Sequence, residues 1–420
     1  MTIFAREFAR WRALGPAARL YLAHVALLTA GLAAPQLFFN LAVLALGHGR
    51  GFLGLLNTIS FGAAAALSIP LWLGAGRIGL RRALALSAVL QASSALIFAT
   101  SGAPSALIAS AALGGVASVL FQVSAAPFMM RHSDDATRDH LFSASSALAI
   151  AVSGAATLVA GPLPAFLGRL IGAAPESAAA YRACFLASSA LLALALLPLL
   201  FVKDEGGAHS AEGVSSEATH TLSSRASSFI LQRSSFSVLV PLLLPPLLIS
   251  CGAALLIPYL NLFYRERFGV GNTTLGLIFA GFDIATGAAL LAGPAIARRI
   301  GKMPTVVLTR ALALPFTLLM GFAPLLGISA GAALARVVLF NMAAPLYDAF
   351  AMERAAPESR PLAIGLIGGA YSAGYLFGPA LSALVQERYG FGPIFVATTA
   401  LYALSVLVTW WLFVRPAPKL

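Results

Sequence analysis

The sequence predicts an all-α membrane protein whose twelve transmembrane helices form two pseudo-symmetric six-helix bundles. Composition is the first ground for this. Hydrophobic residues make up 59% of the 420, charged residues only 10%, and mean hydropathy is +0.88. Ordinary soluble domains carry about 25% charged residues, so most of this surface is expected to face lipid. The second ground is a series of long apolar segments. The third is an internal repeat. Phe39-Asn40-Leu41 is echoed by Leu260-Asn261-Leu262, Arg77-Ile78-Gly79 by Arg299-Ile300-Gly301, and Ala125-Ala126-Pro127 by Ala343-Ala344-Pro345, at offsets of 221, 222 and 218.

A helix needs about 20 residues to cross the hydrocarbon core. Backbone groups in lipid must be satisfied within the segment, so these stretches read as helices rather than open sheet. The spans fall near residues 18–46, 51–76, 81–100, 104–130, 139–170, 178–202, 236–265, 272–298, 303–323, 326–351, 360–388 and 391–415. Ala323-Pro324-Leu325, between spans 9 and 10, is the shortest junction. Residues 1–17 precede the first span. There Ile3, Phe4, Phe8 and Trp11 share a helical face opposite Arg6, Glu7, Arg10 and Arg12, as in a helix lying in the cytoplasmic interface. The N-terminal bundle is expected over 18–202 and the C-terminal bundle over 236–415, with a tail at 416–420. Between the bundles, 203–235 is rich in Ser, Glu, Thr and His and reads as a flexible cytoplasmic linker.

Net charge is +12, but the basic residues sit in short clusters between apolar segments, which argues against nucleic acid. With both termini on one side, that side collects 19 of the 27 Lys and Arg residues. The opposite side has 6, and Arg310 and Arg336 lie within spans. The positive-inside rule then makes both termini of this multi-pass membrane protein cytoplasmic. Cys184 and Cys251 lie in apolar stretches without metal-ligand spacing and read as packing residues; no disulfide or metal is expected. No signal peptide is expected either, because the first apolar segment is too long and lacks a small-residue cleavage site.

Two loops carry matching motifs. Between spans 2 and 3 the sequence runs Gly74-Ala75-Gly76-Arg77-Ile78-Gly79-Leu80-Arg81-Arg82, and the equivalent loop reads Ala297-Arg298-Arg299-Ile300-Gly301-Lys302. In span 11, Gly365, Gly374, Gly378 and Pro379 fall at the spacing Gly-x8-Gly-x3-Gly-Pro; span 5 keeps Gly161-Pro162. Twelve spans, cytoplasmic termini, a six-plus-six repeat and these loops together resemble the major facilitator superfamily, in a bacterial branch of it, and the resemblance implies a bacterial inner-membrane location. Arg77, Gly79, Arg81 and Arg82 match its loop signature, but Gly76 stands where the family usually has Asp and Trp72 where it has Gly. The resemblance implies that Arg77, Gly79, Arg81, Arg82, Arg299 and Gly301 set topology and gate the cytoplasmic face. The span 11 spacing is similar to an exporter motif that the family usually shows in span 5; tight helix packing explains the same glycines.

The resemblance places spans 1, 4, 7 and 10 around a central cavity. Their polar residues are His24, Gln36, Asn40, Gln122, Tyr259, Asn261, Tyr264, Arg336, Asn341, Tyr347 and Asp348, with Tyr371 and Tyr375 nearby on span 11. Polar groups at bilayer depth need a cavity or a partner, which makes each a candidate. Asp283 on span 8 and Arg336 fall near mid-membrane, where they could pair, or Asp283 could carry a coupling proton. Arg310 and Asp348 are expected to form a salt bridge near the cytoplasmic gate. His24 titrates in the useful range, although a lone buried histidine also serves as a packing residue.

Two duplicated bundles around a central site are the architecture of a secondary transporter. No Gly-x4-Gly-Lys-Ser/Thr loop points to an ATP-driven pump, and no nucleophile elbow or metal cluster points to an enzyme. The expectation is therefore proton-coupled export of a small amphipathic compound, with no cofactor beyond the proton gradient. Membrane lipids surround the chain, which acts as a monomer. Uptake or export of an organic anion or metabolite, a lipid flippase and a non-transporting receptor remain open alternatives.

Overall fold

The structure is a computed structural model that describes residues 14–135, 137–202, 233–355 and 360–415. The described residues form helices and no strands. In order they are α1 (Pro16–Ala45), α2 (Arg50–Ile78), α3 (Leu80–Thr100), α4 (Pro104–Arg131), α5 (Arg138–Ala160), α6 (Leu163–Ile171), α7 (Ala178–Leu194) and α8 (Leu196–Leu200). There follow α9 (Arg233–Leu256), a 3-10 turn (Ile257–Tyr259), α10 (Leu260–Phe268), α11 (Asn272–Ile300), α12 (Lys302–Phe322) and α13 (Leu326–Arg354). The last are α14 (Arg360–Ala373), a second 3-10 turn (Gly374–Leu376), α15 (Gly378–Tyr389) and α16 (Gly392–Phe413). Eleven segments among the described residues are long and apolar enough to cross a membrane. The expected span 11 is interrupted by its 3-10 turn, so neither piece alone has the length. The expected interfacial helix, the central linker up to residue 232 and the tail lie outside the described residues.

Breaks occur where the sequence removes donors or side chains. Span 5 divides at Gly161-Pro162 into α5 and α6. In span 11, Gly374 and Gly378-Pro379 bracket the 3-10 turn. The Ser250 hydroxyl bridges that break. It donates to the Tyr371 carbonyl over 2.6 Å and accepts from the Gly374 N–H over 2.9 Å. An interrupted backbone inside a membrane needs such substitutes. Helix α9 meets the same demand differently. Pro246 has no N–H to give the Leu242 carbonyl one turn earlier, and the Tyr347 hydroxyl donates to that carbonyl over 2.8 Å instead.

The described chain divides into two compact units. The first comprises the described parts of Met1–Gly47, Gly62–Thr219 and Asn272–Ala280. Its core joins Tyr21, Leu22 and Val25 of α1 to Leu84, Phe128, Leu141 and Leu199. Ser94 on α3 and Ser110 on α4 exchange hydroxyl-to-carbonyl bonds of 2.8 and 2.9 Å. Gly161 and Gly276 face each other so closely that a Cβ on Gly276 would stand 2.6 Å from the Gly161 Cα, which only glycine permits. The second unit comprises the described parts of His48–Phe61, His220–Gly271 and Gly281–Leu420. Its core includes Met303, Val306, Ala343, Leu346 and Tyr347, with Leu242, Ala351 and Ile367 alongside.

The internal repeat appears in backbone geometry as well. Gly79 has φ 91° and ψ 135°, and Gly301 has φ 90° and ψ 159°; each caps the helix that follows it. L-residues rarely adopt that region. Conserving the Arg-x-Gly turn in both halves therefore has a steric reason.

Candidate functional site

Arg310 sits on α12 and Arg336 on α13, and their side chains are 2% and 7% exposed. On α13, Arg336, Phe340 and Tyr347 fall at helical spacing and share one face. Arg336 donates to the Tyr402 hydroxyl of α16 over 2.9 Å, and its guanidinium lies 5.0 Å from the centre of the Phe340 ring and 5.7 Å from that of Tyr402. Arg310 lies 5.9 Å from the Phe340 ring and 5.4 Å from the Tyr347 ring, and donates over a long 3.4 Å to the Tyr371 hydroxyl. Phe340 is thus shared by both cations.

Neither arginine has a carboxylate within ion-pair distance among the described residues. The buried Nε and Nη1 of Arg310 and the buried Nε of Arg336 have no hydrogen-bond partner among the described residues. The expected Arg310–Asp348 salt bridge is therefore not formed. Asp348 is exposed and within electrostatic reach of Arg310, but the guanidinium turns towards Tyr371 and the rings. Arg336 does not pair with Asp283 either; Asp283 is half-buried on α11 and engaged elsewhere. A cation–π contact is worth about 2 kcal/mol when desolvated, whereas burying an ion costs several kcal/mol even after relaxation. The rings offset part of that penalty, and an anion would offset more.

The first unit holds a cavity of about 340 Å³ between α1, α3, α4 and α5. Tyr21, Thr29, Gln91, Ser118, Gln122, Ser145 and Ser146 supply its polar lining, with Phe121 as an aromatic wall. Gln91 donates to the Ser118 hydroxyl over 3.1 Å. The lining carries no charge. Only Gln122 of these was a sequence candidate.

The remaining candidates are dispersed. His24 is fully buried, its Nδ1 2.7 Å from the Ala195 carbonyl and its ring against Phe121. Gln36 is exposed and Asn40 buried. Tyr259 donates to the Pro379 carbonyl over 2.8 Å, and the Asn261 side chain accepts from the Leu262 N–H over 2.8 Å. Asn341 donates to the Thr286 hydroxyl over 2.8 Å, and the Tyr375 ring packs 4.5 Å from Phe61. Arg81 donates to the Val202 carbonyl over 2.6 Å, while Arg82 and Arg299 are exposed. Gly374 and Gly378 pack against Ser250 and Ala254 of α9, whereas Gly365 has open space around it. Phe340 and Tyr402 escaped the sequence reading. Tyr402 is the one tyrosine of span 12, which also carries Thr398, Thr399, Ser405 and Thr409, and that was the available signal.

The family model described as Major Facilitator Superfamily matches residues 22–354 and 247–420, nearly the whole chain. The chain belongs to the Major Facilitator Superfamily. Solved structures with the superfamily fold agree. The nucleoside transporter NupG (D323A mutant) is 14% identical with a TM-score of 0.71, covering 94% of this chain and 100% of the other. A D-xylose-proton symporter is 15% identical with a TM-score of 0.73, over 94% and 97%. A bacterial homologue of the human lysosomal transporter Spinster, inward-facing and occupied, is 14% identical with a TM-score of 0.72, over 98% and 99%. No curated protein matches the sequence at a significant level. At these identities the neighbours establish the superfamily fold alone. As a superfamily member the chain is a multi-pass membrane protein of a transporter family.

Proposed function

We propose that the chain is a secondary transporter that moves a small amphipathic organic anion by alternating access, in antiport with protons. The single observation that carries this reading is the pair of arginines, each more than nine-tenths buried, that lack a carboxylate partner among the described residues and are boxed by aromatic rings. Guanidinium donors match a carboxylate or phosphate, and the rings match an apolar frame. Arg336 holds the anion, and Asp283 is the proton-carrying group. One neighbour that shares the fold is a D-xylose-proton symporter, so proton coupling is compatible with this architecture. Export is the proposed direction, on the span 11 glycine-proline spacing, with both termini in the cytoplasm of a bacterial cell as the basic clusters favour.

Binding to purified protein tests the reading. Aromatic and aliphatic carboxylates should raise the unfolding temperature, since a ligand of the native state stabilises it by mass action, while the matching amides should not. Arg336→Ala should weaken binding of the anions and leave neutral compounds unaffected. Equal loss for anions and amides would discard the anion site.

A further inference from the structure

We infer that Arg310 is a second anion anchor, so that the site takes a small dianion rather than a monoanion; this rests on the proposed anion reading. Arg310 is the more deeply buried of the two, and it carries the larger unmet demand. Its Nε and Nη1 are both without partners, and its Nη2 bond to Tyr371 is long at 3.4 Å. It is also placed to act with Arg336. The two guanidinium carbons approach the same ring, Phe340, at 5.9 and 5.0 Å, and can be no farther apart than those two lengths laid end to end. Both also lie within electrostatic reach of the Tyr402 hydroxyl.

Two cations that share one apolar plate suit two acidic groups on one short frame. A monoanion would answer one guanidinium and leave the other with its buried donors open, a state that is unfavourable for each unpaired group. Asp348 does not answer Arg310, since its carboxylate is exposed and beyond ion-pair distance. The ligand class is therefore a compact dicarboxylate, with the Phe340 face favouring a flat frame.

The experiment measures binding of two probe series to the full-length protein by calorimetry: phthalate, phthalamate and phthalamide, and succinate, succinamate and succinamide. Within each series the frame is constant and the charge falls from two to one to none. The second charge-assisted contact should make the diacid bind about ten- to hundredfold tighter than its monoamide. In Arg310→Gln that preference should shrink to within about twofold while monoamide binding persists; Arg336→Gln should lose both. Arg310→Lys keeps the charge and should keep a diacid preference, which separates the loss of an anchor from a folding defect. Equal affinity of wild type for diacid and monoamide would overturn the dianion inference and leave the anion reading standing. So would an Arg310→Gln variant that weakens both equally. Absence of binding by every acid in both series would bring down the anion reading itself.

Discussion

Arg336 donates a 2.9 Å hydrogen bond to the Tyr402 hydroxyl, and the ring of that same tyrosine lies 5.7 Å from its guanidinium carbon. One side chain thus supplies an acceptor and a π-face to one buried cation. Tyr402→Phe separates the two. It keeps the ring and leaves Nη2 without its acceptor beside the already unpartnered Nε. The ligand-free protein should lose about 1–3 kcal/mol of stability, the penalty for an unsatisfied buried donor. Stabilisation by an anionic ligand should persist, because the guanidinium itself is intact. A thermal-shift series with and without carboxylates checks this. Loss of all ligand response would show that the hydroxyl, rather than the arginine, holds the anion.

Gly79 and Gly301 occupy equivalent positions in the repeat with nearly the same positive φ, 91° and 90°. Alanine at either position must be held in a backbone region that is essentially reserved for glycine, at about 1–3 kcal/mol each. They lie in different units, so the double variant should show close to the sum of the two losses. Gly365→Ala is the control, because a Cβ there meets nothing within 4 Å. Thermal unfolding of the four variants against wild type decides the matter; a neutral effect at Gly79 and Gly301 would remove the steric reason for the repeated turn.

These glycines also show what the sequence could reveal. Hydropathy and repeat placed the helices within a few residues. The three-residue junction between α12 and α13 falls where expected, because lipid demands long apolar helices and little else. The Arg-x-Gly turns were legible for the same reason, as glycine marks a backbone requirement. The partners of Arg310 were not. A membrane helix is apolar on nearly every side, so no amphipathic period says which face of α12 looks inward. Asp348 was the nearest charged candidate by depth, yet it is exposed while Arg310 faces Tyr347, Phe340 and Tyr371. Gln91 and Ser118 were missed likewise. Their meeting depends on how α3 and α4 are rotated against each other, and single-helix patterns do not encode that.

The hydroxyl of Tyr347 takes over the Leu242 carbonyl that Pro246 leaves without a helical donor. Tyr347→Phe should therefore destabilise the protein by about 1–3 kcal/mol, since a buried carbonyl is left open in an apolar setting. Pro246→Ala restores a backbone N–H one turn along, so the double variant Tyr347→Phe, Pro246→Ala should recover part of that loss. Unfolding measurements on the cycle give the coupling directly. Strict additivity would mean that the two residues do not share the carbonyl.

Asp283 lies eleven residues into α11, about 17 Å along its axis at 1.5 Å per residue. It is three residues past the point where that helix passes from the first unit to the second. It is half-buried and engaged by neighbours, yet it forms no ion pair with Arg336. A carboxyl group there can take up and release a proton while Arg336 remains available to an anion; Asn keeps its shape and removes the proton. In proteoliposomes, Asp283→Asn should retain substrate exchange at equal pH on both sides, which needs only the moving site. Movement driven by a pH gradient should be lost, and Asp283→Glu should retain part of it. If Asp283→Asn responds to the gradient as wild type does, the proton travels by another group. If exchange is lost as well, Asp283 holds the fold or the substrate rather than the proton. Measuring both modes in the same vesicles therefore separates coupling from binding.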